Sequence, residues 1–335
     1  MVNICKNMKL KIVFPKLNNN IFISSKDLKK KINKRTLAVV VTNIFNSSSD
    51  ILEIKKLCKS KKIILIEDNA IYFGNYTRIR NRKIYSGSFG DYSLHSFNIM
   101  KNISGMFGGS VSTNDSKFNE YSISKINEFN KFPKLKYFKQ CVIYILLKFL
   151  SINVIYKYFF IHILNWSYKT KNKFLLYMIY PSLKFKKGNH QPNFLSKISS
   201  FSEKIIIFQL NDFDRIKYFH EIRKKNNIRY QKLLEKIKNR NLQLIKIKEK
   251  NFQNFNEYPI ILKNQKYKSK LANYLLSKGI ETKIVQYVDC DKIFEKKEKK
   301  TINNYQNRII CLPNHPKIKK NYIDRIIFHI DNFLN

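Results

Sequence analysis

The sequence predicts an α/β protein built around a mostly parallel sheet, and three observations predict it. Two short apolar runs rich in β-branched residues, Leu37–Thr42 and Ile63–Ile66, flank a segment whose apolar residues recur at helical spacing. The composition is that of a folded chain, 44% hydrophobic and 26% charged with only 8 Gly and 7 Pro, which excludes collagen-like, disordered and disulfide-scaffold classes. At 335 residues the chain is long enough to bury a sizeable core and to divide into two domains.

The elements follow in order. Leu37–Thr42 reads as a strand buried on both faces, followed by an Asn- and Ser-rich loop from Asn43 to Ser49. Asp50 and Glu53 form a capping-box pattern ahead of Ile51, Ile54, Leu57 and Cys58, which share one helical face. The second strand, Ile63–Ile66, ends in Glu67-Asp68. A strand, a helix and a strand in this order imply parallel pairing through a right-handed crossover. Ligands of such sheets bind beyond the carboxyl ends of the strands, where Asp68 stands. Short strands are also expected at Tyr92–Phe97 and Ser110–Thr113, with Lys101 in the turn between them, followed by Gly105, Gly108 and Gly109.

After about residue 135 the composition shifts. Cys141–Leu164 is almost wholly apolar, interrupted by Lys148, Ser151, Asn153, Lys157 and His162. Lys148 and Lys157 fall on opposite faces of a helix, so a single bilayer span would bury one of them in lipid. A buried or interfacial helix pair broken near Ser151–Asn153 is expected instead. Phe201–Lys238 reads as one long helix, with Phe208, Leu210, Phe213, Ile216, Phe219, Ile222, Ile228, Tyr230 and Leu233 as its buried positions. The remainder is α+β: strands at Tyr258–Leu262, Ile280–Tyr287 and Ile309–Pro313, a helix at Lys268–Ser277 stopped by Gly279, and a closing helix at Tyr322–Phe333.

Lys and Arg number 65 against 23 Asp and Glu, a formal net charge of +42. A polyanionic partner would suit that balance, but the charge is spread along the whole chain, which favours compositional drift over a dedicated nucleic-acid surface. No zinc-finger spacing or RNP-type aromatic motif is present, so no specific nucleic acid is expected. Cys5, Cys58, Cys141, Cys290 and Cys311 are odd in number and scattered, which predicts a reducing cytoplasm and no metal site. Met1–Lys11 contains no apolar h-region, so a signal peptide is not expected.

Several short motifs then line up. Glu67-Asp68-Asn69-Ala70 ends a strand; Gly87-Ser88-Phe89-Gly90-Asp91 follows; Ser96-Phe97-Asn98-Ile99-Met100-Lys101-Asn102 leads into Gly108-Gly109 and Thr113-Asn114-Asp115. Further on come Gln209-Leu210, Lys278-Gly279-Ile280-Glu281-Thr282 and Leu312-Pro313-Asn314-His315-Pro316. In this order and spacing the chain resembles the DegT/DnrJ/EryC1/StrS family of sugar aminotransferases that use pyridoxal 5'-phosphate (PLP).

The resemblance implies an aspartate-aminotransferase-like large domain over residues 1–125, short of its usual N-terminal part. An apolar helical insert over 126–195 and a connecting helix with a small α+β domain over 196–335 would complete the chain. It implies that Lys101 is the catalytic lysine that binds the cofactor aldehyde and carries a proton. Asp68 would keep the cofactor ring nitrogen protonated, and Ser96 would bind the cofactor phosphate. The substrate would be a nucleotide-linked keto-sugar and the amino donor glutamate, in surface polysaccharide or lipopolysaccharide synthesis. The resemblance also implies a homodimer, because the family builds its site across two subunits, while the scattered cysteines point to the cytoplasm and the apolar block suits peripheral association at the inner face of the cytoplasmic membrane.

The chain departs from that pattern in places. Lys11–Pro15 looks like the family's third element, with no phosphate-gripping turn before it. Ile71 stands where Gln or His is usual, and Asn193 alone remains of an Asn-Tyr-Arg element. These departures motivate a second function class, a degenerate aminotransferase-like subunit that binds a membrane or a partner. His95 alternates away from Ser96 and reads as a core or interface residue; His315 reads as structural.

Overall fold

The computed structural model describes residues 2–18, 21–45, 51–71, 73–99, 101–170, 172, 174–175, 195–237, 241–245, 256–283, 290 and 305–335. Its central sheet has the strand order β1-β2-β5-β6, from β1 (Ala38–Thr42), β2 (Ile64–Asp68), β5 (Tyr92–Ser96) and β6 (Gly109–Thr113). The first three are parallel, and β6 returns antiparallel to β5. A separate hairpin, β3 (Tyr76–Ile79) with β4 (Arg82–Tyr85), lies between β2 and β5 in sequence.

The helices α1 (Val2–Asn7), α2 (Ser25–Lys31) and α3 (Ile51–Ser60) come first in the chain. The α3 helix provides the crossover between β1 and β2 and packs its apolar face on the sheet. Ile51, Ile54 and Cys58 meet Val39, Val41, Leu65 and Phe89, with Phe22 and Leu28 closing the layer from the α2 side. The expected helix is therefore present. Glu53 sits in the first turn of α3, and its carboxylate accepts the Ser25 hydroxyl at 2.6 Å, which ties α3 to α2. Asp50 lies outside the described residues. Lys11–Pro15 forms no strand in this structure.

Beyond β6 lie α4 (Ser116–Glu128) and β7 (Asn130–Lys131), the latter paired with β8 (Ser196–Lys197). The apolar block folds as two arms. The first is α5 (Lys134–Leu150). The second continues through α6 (Asn153–Ile155), a π-helical stretch (Tyr156–Phe160) and α7 (Ile161–Lys169). The arms meet at 78°, at the break expected near Ser151–Asn153. No single helix among the described residues is long and apolar enough to cross a membrane.

The region read as one long helix is two, α8 (Ser200–Asn211) and α9 (Phe213–Leu234). Asp212 separates them, and its side chain accepts the Arg215 N–H, so it begins the second helix as an N-cap. This break changes the phase of the buried face. Ile216 and Tyr230 are buried as expected, whereas Phe208, Leu210, Phe213 and Ile228 are exposed.

The C-terminal part carries the largest core. An antiparallel sheet of order β11-β10-β9 combines β9 (Leu242–Leu244), β10 (Glu257–Leu262) and β11 (Ile309–Pro313). It is covered by α10 (Lys266–Ser277) and α11 (Lys320–Leu334), with Leu271, Leu275, Ile323, Ile326 and Ile330 packed inside. Tyr230 from α9 stacks on Tyr258 at 4.9 Å and donates its hydroxyl to the Pro313 carbonyl, locking α9 to this sheet. Gly279 has φ +76, the left-handed turn that ends α10. Of the strand expected at Ile280–Tyr287, the described residues show one bridge, Lys283 with Cys311; residues 284–289 lie outside them.

Candidate active site

The carboxyl ends of β2 and β5 build the site. Glu67 and Asp68 are consecutive and so point to opposite faces of the sheet. Glu67 is fully buried, and its carboxylate takes four donors. Oε1 accepts the Phe89 and Gly90 N–H groups at 2.7 and 2.8 Å. Oε2 accepts the Gly87 N–H at 3.0 Å and Asn43 Nδ2 at 3.3 Å. Asp91 completes the clamp by accepting the Leu65 N–H at 2.8 Å. The Gly87–Asp91 turn is thus held to β2 by two carboxylates. Sequence reasoning gave Glu67 no role, although an acid inside an apolar strand next to a glycine turn is a usable signal.

Asp68 faces the other way. Its Oδ1 accepts the Ala70 N–H at 3.1 Å, which bends the chain as it leaves the strand. Ser96, at the end of the neighbouring strand, and Lys101 line one cleft together with Ile71, Phe73 and Asn256. Asp68 sits beside this cleft, and its charge acts on both Lys101 and His95. The structure therefore brings the three sequence-predicted residues into one neighbourhood, two of them lining the cleft itself.

Lys101 rides a short loop between β5 and β6. The loop folds back on itself through Phe97 N–H to Gly108 O, Ile99 N–H to Met106 O and Gly105 N–H to Phe97 O. Two contacts from the later helices anchor it. The Gln209 side chain accepts the Ser104 N–H and donates to the Ser104 carbonyl, pairing with the backbone as a strand would. Arg223 donates to Asn102 Oδ1 at 2.7 Å. Burial lowers the Arg223 guanidinium to about 10. Burial, with Arg223 second, lowers the adjacent His220 to about 4. Gly105 allows α8 to approach closely, because a Cβ there would sit 2.8 Å from Ile206 and from the Ser202 carbonyl.

The Lys101 amine has no hydrogen-bond partner among the described residues. Burial lowers its pKa, and the Lys283 ammonium lowers it further, while Asp68 and Glu257 pull the other way. Lys283 itself pairs with Glu257 at 2.7 Å. Asn256 Oδ1, buried in the same wall, also lacks a partner among the described residues. The cleft thus holds an amine whose pKa is lowered by burial, an acceptor without a partner among the described residues and a carboxylate close by.

His95 lies off the cleft side, as its alternation predicts. Its Nε2 is shared between Ser93 and Ser112 at 3.2 and 3.0 Å, and its ring packs edge-on to Phe73. His315 accepts the Lys317 N–H in a loop, a structural contact. Asn193 lies outside the described residues. No group of three or more potential metal ligands forms among the described residues.

The sequence profile of the DegT/DnrJ/EryC1/StrS aminotransferase family matches residues 2–136 and 183–331. The chain belongs to this family. The unmatched stretch between those ranges contains most of the two apolar arms. GDP-perosamine synthase of Vibrio cholerae is 39% identical over 92 residues, which is 28% of this chain and 24% of that protein. UDP-4-amino-4,6-dideoxy-N-acetyl-beta-L-altrosamine transaminase of Helicobacter pylori is 33% identical over 108 residues, 32% of this chain and 28% of that protein. The matched stretch thus spans under a third of each of these curated relatives.

Among solved structures, the aminotransferase TlmJ from Streptoalloteichus hindustanus superposes with TM-score 0.69 at 16% identity, covering 98% of this chain and 75% of that one. PseC of Helicobacter pylori, an aminotransferase involved in pseudaminic acid biosynthesis, superposes with TM-score 0.67 at 18% identity, covering 99% and 76%. The family fold is therefore present across the chain.

Proposed function

We propose that this family member is a PLP-dependent aminotransferase that moves an amino group from glutamate to a nucleotide-linked keto-sugar for surface polysaccharide or lipopolysaccharide synthesis. The observation that carries the reading is the setting of Lys101: an amine withdrawn from water, its pKa lowered by burial, with no hydrogen-bond partner among the described residues, in a cleft at the carboxyl end of a parallel sheet. The residues present fit the cofactor. Lys101 would hold its aldehyde carbon, Ser96 its phosphate, and Asp68 the protonated ring nitrogen.

When bound, the cofactor supplies an electron sink for the carbon that loses its proton. The chain's own residues supply the rest. Lys101 Nζ carries the proton between carbon atoms, which requires the neutral amine that burial favours. The clamps on Asn102 and Ser104 hold that amine in place. Phe73 and Ile71 line the cleft with apolar surface and limit water around it. We assign the active form to a cytoplasmic homodimer.

The test is the visible absorbance of protein purified with added PLP, beside that of Lys101→Ala. A cofactor band in the parent that is missing from the variant supports the assignment, and amino transfer from labelled glutamate to nucleotide-linked keto-sugars then completes it. A band that persists unchanged in Lys101→Ala overturns it. No band in the parent favours the non-catalytic subunit.

A further inference from the structure

We propose that the two bent apolar arms dock this protein on the surface of an anionic lipid bilayer, lying in the headgroup layer without crossing it. The inference is independent of the cleft's chemistry. In α5 the outward residues Leu135, Phe138, Val142, Ile145 and Phe149 recur at alternating spacings of three and four, and Ile152 extends the series past the helix end. That spacing is one continuous stripe on a helix. All six are exposed, Phe138 at 64% and Ile145 at 65%, while one flank of the stripe, with Tyr137 and Cys141, rests on Phe107, Phe201 and Met106. The stripe therefore has no cover within the described residues.

Charge decides what covers it. Residues 134–169 contain six lysines and no Asp or Glu. On a helix, Lys139 and Lys148 fall about a quarter-turn to either side of the stripe, where long side chains can reach past buried apolar surface to lipid phosphates. A second copy of the chain would set lysines against lysines with no acid between them, whereas an anionic leaflet answers them. The second arm adds Phe159 and the chain's single tryptophan, Trp166, both more than half exposed. Tryptophan favours the interfacial layer of a membrane.

The geometry opposes a span. The arms meet at 78°, and Phe160, Ile161 and Leu164 of the second arm are buried against Leu276 of α10. Straightening the pair across a bilayer would tear that packing apart. Docked flat, the arms would keep the protein body at the surface.

Trp166 provides the readout. The full chain is titrated with vesicles of phosphatidylglycerol mixed into phosphatidylcholine, and with phosphatidylcholine alone. Tryptophan emission, quenching by brominated lipid and co-sedimentation are followed. A blue shift and quenching with the anionic vesicles, weakened by salt, are expected. The double substitution Phe138→Glu and Ile145→Glu is expected to lower partitioning about a hundredfold with melting unchanged, since both side chains are already in water. No shift or sedimentation of the parent with anionic vesicles overturns the proposal. So does equal binding of parent and variant, or a variant that loses self-association while keeping vesicle binding, which would make the stripe a contact between copies. Because no outcome depends on cofactor binding, a failure here leaves the reading of the cleft standing, and the reverse holds too.

Discussion

Replacing Glu67 by Gln tests the claim that the glycine turn is held by a buried carboxylate. Glutamine has nearly the same shape, so no cavity opens, and only the number of acceptors changes. Glu67 takes two backbone donors on Oε1 and a backbone and a side-chain donor on Oε2. The best amide orientation keeps Oε1 for Phe89 and Gly90. It then turns an NH2 group towards the Gly87 N–H and Asn43 Nδ2, which are donors themselves. Asn43 retains its 2.7 Å bond to Asn69, but the Gly87 N–H is left without an acceptor. One unsatisfied buried donor costs about 1–3 kcal/mol, and weakening the two surviving charged bonds brings the loss to about 2–4 kcal/mol. Urea denaturation followed by circular dichroism reads this as a lower midpoint at unchanged slope. A variant within about 0.5 kcal/mol of the parent, the range of ordinary surface changes, would refute the reasoning.

Three further outcomes follow from contacts described above. Gly105→Ala places a Cβ 2.8 Å from Ile206 and the Ser202 carbonyl. It should destabilise the fold by about 1–3 kcal/mol and weaken PLP binding, which a melting curve and a cofactor titration measure. Gln209→Leu removes both bonds to the Ser104 backbone. A stability loss of about 1–3 kcal/mol is expected by denaturation, together with faster hydrogen exchange in the Lys101 loop. Burial raises the Glu281 carboxyl from 4.5 to about 7, against smaller opposing effects of Tyr156 and Lys283. A raised folded-state value means its stabilisation is full below pH 4.5 and is lost as pH rises to about 7. At about 1.36 kcal/mol per pH unit, discounted for partial exposure, the loss is about 2 kcal/mol. Glu281→Gln should flatten that slope, and parallel stability curves for parent and variant across this range would refute it.

Much of the large-domain sheet is legible in the residues. Val39, Val41 and Leu65 reveal buried strands because β-branched and apolar runs have few alternatives, and Ile51, Ile54 and Cys58 keep strict helical phase. The break near Ser151 is legible because polar residues interrupt an apolar run. Other features depend on tertiary context. Asp212 ends one helix and begins another, and periodicity carried across it assigns Phe208, Leu210, Phe213 and Ile228 to a core they do not enter. Lys101, Asp68 and Ser96 are visible through motif order, and the fold brings them into one neighbourhood. Glu67 leaves a trace in the sequence, an acid inside an apolar strand, but its donors lie 20 to 24 positions away. Arg223 is invisible because its partner Asn102 is 121 positions distant, and Asn256 because only the tertiary fold brings it to the cleft wall.

The reversal of direction at β6 has a consequence for how this lysine segment can change over evolution. A crossover between parallel strands needs a long connection, in which an added residue can be absorbed by one more turn of helix. The Lys101 segment instead closes between neighbouring antiparallel strands, with both ends and its middle bonded to one another and to Gln209. A residue inserted between positions 98 and 107 would have no slack to enter, and would push the amine or break the pairing of Phe97 with Gly108. The geometry therefore constrains the length of this segment as well as the position of its lysine.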